Sequence, residues 1–137
     1  MKIIHYKPDG LKPGVILDNF TNKFEIFGKS CPENVVEFYQ PVLDWLDEYA
    51  QEPLDETVFE FRLKYYNTAS SKVLFIIMQK LEGIKQDGHD VKIKWIFPED
   101  DEALLEAGEE YDDLIDVPFE LIAIEPEGWK LPLSFYF

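Results

Sequence analysis

The sequence is poor in cysteine and histidine, and both shortages narrow the possible kinds of site. Among 137 residues there is one cysteine, Cys31, so the chain forms no internal disulfide and suits a reducing compartment. The two histidines, His5 and His89, lack the three or four converging ligands that a metal site requires. We therefore expect neither a metal ion nor another cofactor.

Basic residues are also scarce. The chain has 13 Lys and Arg against 28 Asp and Glu, and its formal net charge is -15. A surface of this charge repels nucleic-acid phosphates and anionic lipid headgroups, so we expect binding neither to nucleic acid nor to a membrane. A partner protein with a basic patch is the natural complement.

Long apolar runs are missing as well. The longest, residues 73–78, is far shorter than the roughly 20 residues of a membrane-spanning helix. The first seven residues do not show the pattern of a secretory signal. We therefore expect a cytoplasmic protein.

The chain is nevertheless rich enough in apolar residues to form a core. Hydrophobic residues make up 46% and aromatic residues 15%, which fits one folded domain. Periodicity predicts the elements. They are strands over residues 14–18 and 23–27, a helix after a capping box at Ser30-Cys31-Pro32-Glu33, a strand over 57–66, a helix over 70–86, a strand over 91–97, a helix opened by residues 98–102 and a strand over 118–124, with a further strand possible over 3–6.

The order β-β-α-β-α-β-α-β predicts a single α/β domain with a mixed sheet and about three helices. Later strands alternate with helices, so we expect those strands to be parallel and joined by right-handed crossovers. We assign residues 1–125 to this domain and residues 126–137 to an aromatic, proline-bearing C-terminal tail. The tail either packs onto the domain or meets a partner.

No set of residues has the pattern of an active site. Cys31 has no histidine at a recognisable spacing, so we interpret it as a small residue in a first helical turn. The acids between positions 99 and 113 do not follow the calcium-loop spacing, and a solvated helix face accounts for them. We therefore expect a protein that is not an enzyme, with a small hydrolase as the remote alternative.

One polar segment joins the clearest strand to the second helix. It comprises Asn67, Thr68, Ala69, Ser70, Ser71 and Lys72. A hydroxyl here has a structural interpretation, as an N-cap that accepts from a free backbone N–H. It also has a functional one, as a phosphorylation site, because a helix N-terminus holds phosphate well and Lys72 could add a charge-assisted hydrogen bond.

Around this segment the chain resembles the SiaC-type regulatory phosphoproteins of bacteria. The resemblance lies in several motifs that occur in order between about positions 14 and 124. They are residues 63–72, residues 30–34 leading into 38–46, Trp95 with the acids at 99–102, and residues 106–109 before Pro118 and Phe119. The resemblance implies a STAS-like fold, similar to that of the anti-sigma-factor antagonists, which agrees with the predicted order of elements.

The resemblance also implies a function. In the family, a threonine that corresponds to Thr68 is phosphorylated by a serine/threonine kinase with a histidine-kinase-like ATP fold. A metal-dependent serine/threonine phosphatase removes the phosphate. The unphosphorylated protein binds and activates a diguanylate cyclase, which raises cyclic di-GMP and favours biofilm or aggregation. Ala69 stands where a serine is common in the family. The alternative is a STAS-like antagonist of an anti-sigma factor or another output protein.

Overall fold

The computed structural model describes residues 1–125, and the predicted tail over 126–137 lies outside the described residues. Nine elements follow one another in the described part. They are β1 (Ile4–Tyr6), β2 (Gly14–Asp18), β3 (Lys23–Ser30), α1 (Val35–Tyr49), β4 (Glu56–Tyr66), α2 (Thr68–Gln86), β5 (Asp90–Pro98), α3 (Glu102–Leu114) and β6 (Phe119–Ile124).

The six strands form one mixed sheet in the order β1-β2-β3-β4-β5-β6. β1, β2 and β3 pair antiparallel, whereas β3, β4, β5 and β6 pair parallel. The predicted hairpin, the parallel strands and the single α/β domain are therefore confirmed. His5 lies in β1, which is an edge strand of the sheet.

The three helices cover one face of the sheet. Each of α1, α2 and α3 connects one parallel strand to the next in the same direction, so right-handed crossovers place all three on the same side. The strands present alternate side chains to these helices, and the register aligns them in rows. One row is Leu17, Phe24, Phe59 and Ile93, and the next is Val15, Ile26, Phe61 and Trp95. Both rows belong to the hydrophobic core.

The opposite face of the sheet, here called the outer face, carries the remaining side chains. One row across it consists of Ile16, Glu25, Glu60, Lys94 and Glu120. No helix or strand among residues 1–125 packs over this face. Its mixture of acids, cations and apolar residues differs from the apolar rows beneath the helices.

Two predicted details at the start of α1 are wrong, namely the capping box at Ser30 and the place of Cys31 in the first helical turn, since Cys31 lies four residues before Val35. Ser30 does not form a capping box with Glu33, because β3 continues through Ser30 and the helix begins only at Val35. The N-cap is Asn34, whose side-chain oxygen accepts from the Glu37 backbone N–H at 3.0 Å. The extended backbone of β3 moves Ser30 into the interior, where it is completely buried.

Gly108 sets how closely α3 approaches the sheet. A Cβ added there would lie 2.5 Å from Cδ1 of Trp95 and 2.6 Å from Cδ2 of Leu121. Gly83 in α2 has nothing within 4 Å of the corresponding position. We expect Gly108→Ala to lower the free energy of unfolding by about 1–3 kcal/mol, since overpacking displaces the helix. Gly83→Ala should raise it by roughly 0.5–1 kcal/mol through helix propensity.

Urea unfolding of the two variants measures these opposite effects of one added methyl group. A Gly108→Ala protein as stable as the parent would show that α3 can move away from β5 without cost. Equal destabilisation by both substitutions would instead contradict the assigned contact with Trp95.

Candidate functional site

The second helix begins at Thr68, two residues before the predicted start, because Asn67 is its N-cap. The side-chain oxygen of Asn67 accepts from the Ser70 backbone N–H at 2.8 Å, and its carbonyl accepts from the Ser71 N–H at 3.0 Å. The predicted hydroxyl cap is therefore wrong, since an asparagine one position earlier performs that role. The hydroxyl of Thr68 is thereby left without a capping function.

Ser70 holds this corner from inside the fold. It is completely buried, and its hydroxyl donates to the Ser30 carbonyl at 2.8 Å. The Ser30 hydroxyl donates to Ser70 Oγ at 2.9 Å, so the Tyr39 hydroxyl, 2.6 Å away, must donate to Ser30. Burial raises the pKa of Tyr39, which keeps its proton in place. This network fixes the start of α2 to the end of β3.

Thr68 lies on the outside of the same corner. It is the first residue of α2 and is exposed, as are Ala69 and Lys72. Within residues 1–125, the backbone N–H groups of Thr68 and Ala69 have no hydrogen-bond partner. Free N–H groups and the positive end of the helix dipole favour an anion at this place. These backbone N–H groups could therefore donate hydrogen bonds to a phosphate on Thr68.

A shallow groove of about 650 Å³ runs from Thr68 between α2 and α3. Its apolar lining includes Phe75 and Ile76 from α2 and Tyr111 and Leu114 from α3. The phenol of Tyr111 donates to the Ser71 carbonyl at 2.9 Å, which ties α3 to the first turn of α2. The groove therefore joins the hydroxyl of Thr68 to an apolar surface shared by two helices.

Two large apolar side chains of the groove are exposed to water. Leu114 at the end of α3 is 65% exposed, whereas the next residue, Ile115, is only 4% exposed. Ile76 is 39% exposed on the other side. Large apolar side chains with this exposure are typical of surfaces that bind other proteins. The signal available in the sequence was the second apolar residue at the end of α3.

The α3 side of the groove carries acidic side chains. Glu110 lines it, and Glu106, Glu109 and Asp113 are further exposed acids of α3. Lys72 is the cation at the end near Thr68. A partner with basic residues would complement this rim, whereas further negative charge at Thr68 would add to it.

The other candidate residues do not come together. Among residues 1–125, no three His, Cys, Asp or Glu side chains lie close enough to hold a metal ion. Cys31 and His89 are half-buried at separate places, and Asp101 is the N-cap of α3, accepting from the Leu104 N–H at 3.0 Å. No helix in the described part is long and apolar enough to cross a membrane.

Comparisons with known proteins show what this chain is similar to. An uncharacterized protein of Pseudomonas aeruginosa strain UCBPP-PA14 is 29% identical over 126 residues, which cover 90% of this chain and 98% of the relative. The crystal structure of apo-SiaC from Pseudomonas aeruginosa superposes with a TM-score of 0.81 at 27% identity, covering 90% of this chain and 100% of that one.

A further solved structure contains a complex. It shows the diguanylate cyclase SiaD of Pseudomonas aeruginosa with its activator SiaC, which this chain matches with a TM-score of 0.83 and 27% identity over 88% of its length and 99% of the other chain. Residues 7–124 match the family described as SiaC family regulatory phosphoprotein. Since this match spans most of the sequence, the chain belongs to the SiaC family of regulatory phosphoproteins.

Proposed function

We propose that this protein is a phosphorylation-switched regulator that binds and activates a diguanylate cyclase while Thr68 is unphosphorylated. The observation that carries the proposal is the exposed Thr68 at the N-terminus of α2, beside an apolar groove between two helices. The complex of SiaD with its activator SiaC, whose structure is similar, supports the choice of partner. The protein itself acts by binding and not by catalysis.

The groove supplies the docking surface and Thr68 supplies the control. Ile76 and Leu114 offer apolar area that a partner can remove from water, which favours association. Phosphorylation adds about -1.5 to -2 charge at one end of the groove. The free N–H groups and Lys72 hold this phosphate, and its charge joins that of Glu110. A partner bound over this corner would then clash with the phosphate group and be repelled by the combined negative charge.

Two further enzymes complete the switch. A serine/threonine kinase with a histidine-kinase-like ATP fold places the phosphate on Thr68, and a metal-dependent serine/threonine phosphatase removes it. Asn67, Ala69, Ser71 and Lys72 form the surface that these enzymes recognise, while Ser70 supports it from inside. All of these proteins act in the cytoplasm, where ATP and cyclic di-GMP are available.

Phosphate is expected on Thr68 alone when the protein is incubated with its kinase and ATP. Mass spectrometry of the intact protein and of its peptides measures the number and place of the phosphates. Thr68→Ser should retain labelling and Thr68→Ala should lose it, because the exposed hydroxyl is the acceptor. Thr21→Ala, which removes an exposed hydroxyl in the β2–β3 turn, is the matched control and should be labelled normally. Labelling of Thr68→Ala at the parent rate would show that the site is elsewhere.

Thr68→Glu is expected to weaken the complex with the cognate cyclase at least about tenfold, equivalent to 1.4 kcal/mol or more. Cyclase activation should be lost in parallel. The control is Thr21→Glu, because Thr21 is also exposed but lies in the β2–β3 turn, at the other end of β3 from Ser30. Calorimetry and cyclic di-GMP formation measure binding and activation.

The same experiment tests two claims separately: the role of Thr68 in the switch and the identity of the partner. Equal weakening by Thr68→Glu and Thr21→Glu would contradict a role for this corner. If the unphosphorylated protein captures an anti-sigma factor or another output protein and no cyclase, the assignment of the cyclase as partner is wrong.

A further inference from the structure

The two edges of the described sheet differ in how well they are protected against pairing with another chain. β1 has only three residues and is flanked by Lys2 and Lys7. β6, at the other edge, has six residues, and its one charged residue, Glu120, is paired with Lys92 of β5 at 2.7 Å. Short length and lysines protect an edge strand, whereas a longer apolar strand is a template for pairing. The edge at β6 therefore has the features of a pairing site.

Every second residue of β6 directs its backbone polar groups away from the sheet. The Pro118 and Ile124 carbonyls accept from the Ile93 and Glu99 N–H groups at 2.9 and 2.8 Å, so the even-numbered residues face β5. The residues that face outward are Phe119, Leu121 and Ala123. Within residues 1–125, no strand pairs with this side of β6, and the outward N–H and C=O groups have no partner. These residues form what we call the β6 edge.

Acidic residues of α3 border the β6 edge on the helix side of the sheet. Gly108 packs against both β5 and β6, so α3 lies above these two strands. One side of α3, at Tyr111, faces the groove shared with α2. The opposite side, at Leu105, Glu109 and Asp112, is therefore turned toward the β6 edge. Glu109 and Asp112 are exposed, so a strand added to β6 would lie beneath uncompensated negative charge.

We propose that the β6 edge binds an extended basic segment of a partner protein as an additional strand. The outward backbone groups would hydrogen-bond to the segment, as in other cases of strand addition. On the helix side, lysine or arginine fits, because the stem covers Leu121 while the charged head reaches Glu109 or Asp112. On the outer face, the segment lies beside Ile122 and Ile124, where β-branched apolar residues fit. The recognised sequence therefore alternates basic and apolar residues.

Charge argues against a second copy of this chain at the β6 edge. Symmetric pairing of two β6 strands would bring the two α3 helices to the same edge, and α3 contains acids and no basic residue. The two helices would repel each other. The β6 edge and the groove beside Thr68 lie on opposite sides of α3, so the inference is independent of the proposed switch.

Amide hydrogen exchange of the full chain tests the β6 edge residue by residue. The probe is a synthetic nonapeptide that alternates lysine with valine, and the same peptide with glutamate in place of lysine is its control. Without peptide, the amides of Phe119, Leu121 and Ala123 should exchange quickly, and those of Glu120 and Ile122 slowly. The lysine peptide should slow the three outward amides at least about tenfold, and the glutamate peptide should not.

Two outcomes of the exchange experiment would overturn the proposal. Slow exchange of the outward amides in the absence of peptide would show that the β6 edge is already paired. Unchanged exchange at saturating lysine peptide would show that no strand is added. If the same amides become protected as a dimer forms in sedimentation, the edge belongs to a second copy and the basic partner is wrong.

A pair of substitutions at Ala123 tests the backbone hydrogen bonds directly. Ala123 is exposed and faces away from β5, so Ala123→Pro removes an outward N–H and leaves the pairing of β6 with β5 intact. The variant should keep its far-UV circular dichroism and bind the lysine peptide at least about tenfold more weakly. Ala123→Thr keeps the N–H and should bind like the parent. Equal affinities for the two variants would contradict strand addition.

Discussion

Leu81→Ala is expected to lower the free energy of unfolding by about 2–5 kcal/mol. Leu81 lies in α2, is completely buried and belongs to the core cluster between the helices and the sheet. Its truncation removes apolar contact from the interior and leaves a cavity that the neighbouring side chains fill only partly. Urea unfolding followed by circular dichroism measures the change.

The same substitution at Leu114 separates stability from binding. Leu114 is 65% exposed, so Leu114→Ala should change the free energy of unfolding by less than about 0.5 kcal/mol. Because Leu114 lines the groove beside Thr68, its loss should instead weaken the complex with the cyclase by roughly tenfold. An unchanged stability for Leu81→Ala would mean that the register of α2 is wrong. An unchanged affinity for Leu114→Ala would remove the groove from the docking surface.

The sequence predicted the sheet well because strand periodicity is strong in this chain. In β4, Phe59, Phe61 and Leu63 alternate with polar residues, and the structure buries these three under the helices. The alternation of later strands with helices then required parallel pairing and right-handed crossovers. The type and order of the elements could therefore be predicted from periodicity and from the alternation of strands with helices.

Helix starts were harder to predict because several residues can act as N-caps. Ser30 and Asn34 both have Glu three positions later, and only the extent of β3 decides between them. At α2, Asn67 competes with the hydroxyls that follow it, and burial of Ser70 against Ser30 settles the choice. This contact joins residues 40 positions apart, so local patterns do not contain it.

The groove could not be predicted from the sequence for a similar reason. It depends on the packing of α3 beside the first turns of α2, through the hydrogen bond from Tyr111 to the Ser71 carbonyl. Thr68 could be predicted as the phosphorylation site because its motif is local and characteristic. Helical periodicity tells an inward residue from an outward one, but it does not tell which outward residues, such as Ile76 and Leu114, share a surface.

The pH dependence of stability is expected to have a large contribution from Glu25 on the outer face. Burial, with a smaller contribution from Glu60 on β4, raises the pKa of Glu25 from 4.5 to about 7, against the opposing effects of Lys23 and Arg62. Because the folded state binds this proton more tightly, its contribution to stability is fully present below pH 4.5 and is lost as the pH rises through 7. Because the carboxyl is only partly buried, water screens this effect, and its contribution to stability is about 1–2 kcal/mol.

Glu25→Gln should remove this dependence, because the amide stays neutral at every pH. The variant should match the parent near pH 4.5 and exceed its free energy of unfolding above pH 7 by about 1–2 kcal/mol. Glu120→Gln is the matched control on the same face, since Glu120 is exposed and its hydrogen bond to Lys92 lowers its pKa. Urea unfolding between pH 4.5 and 8.5 measures all three proteins. Parallel curves for the parent and Glu25→Gln would show that the carboxyl of Glu25 is hydrated, and that the outer face is open to water at this strand.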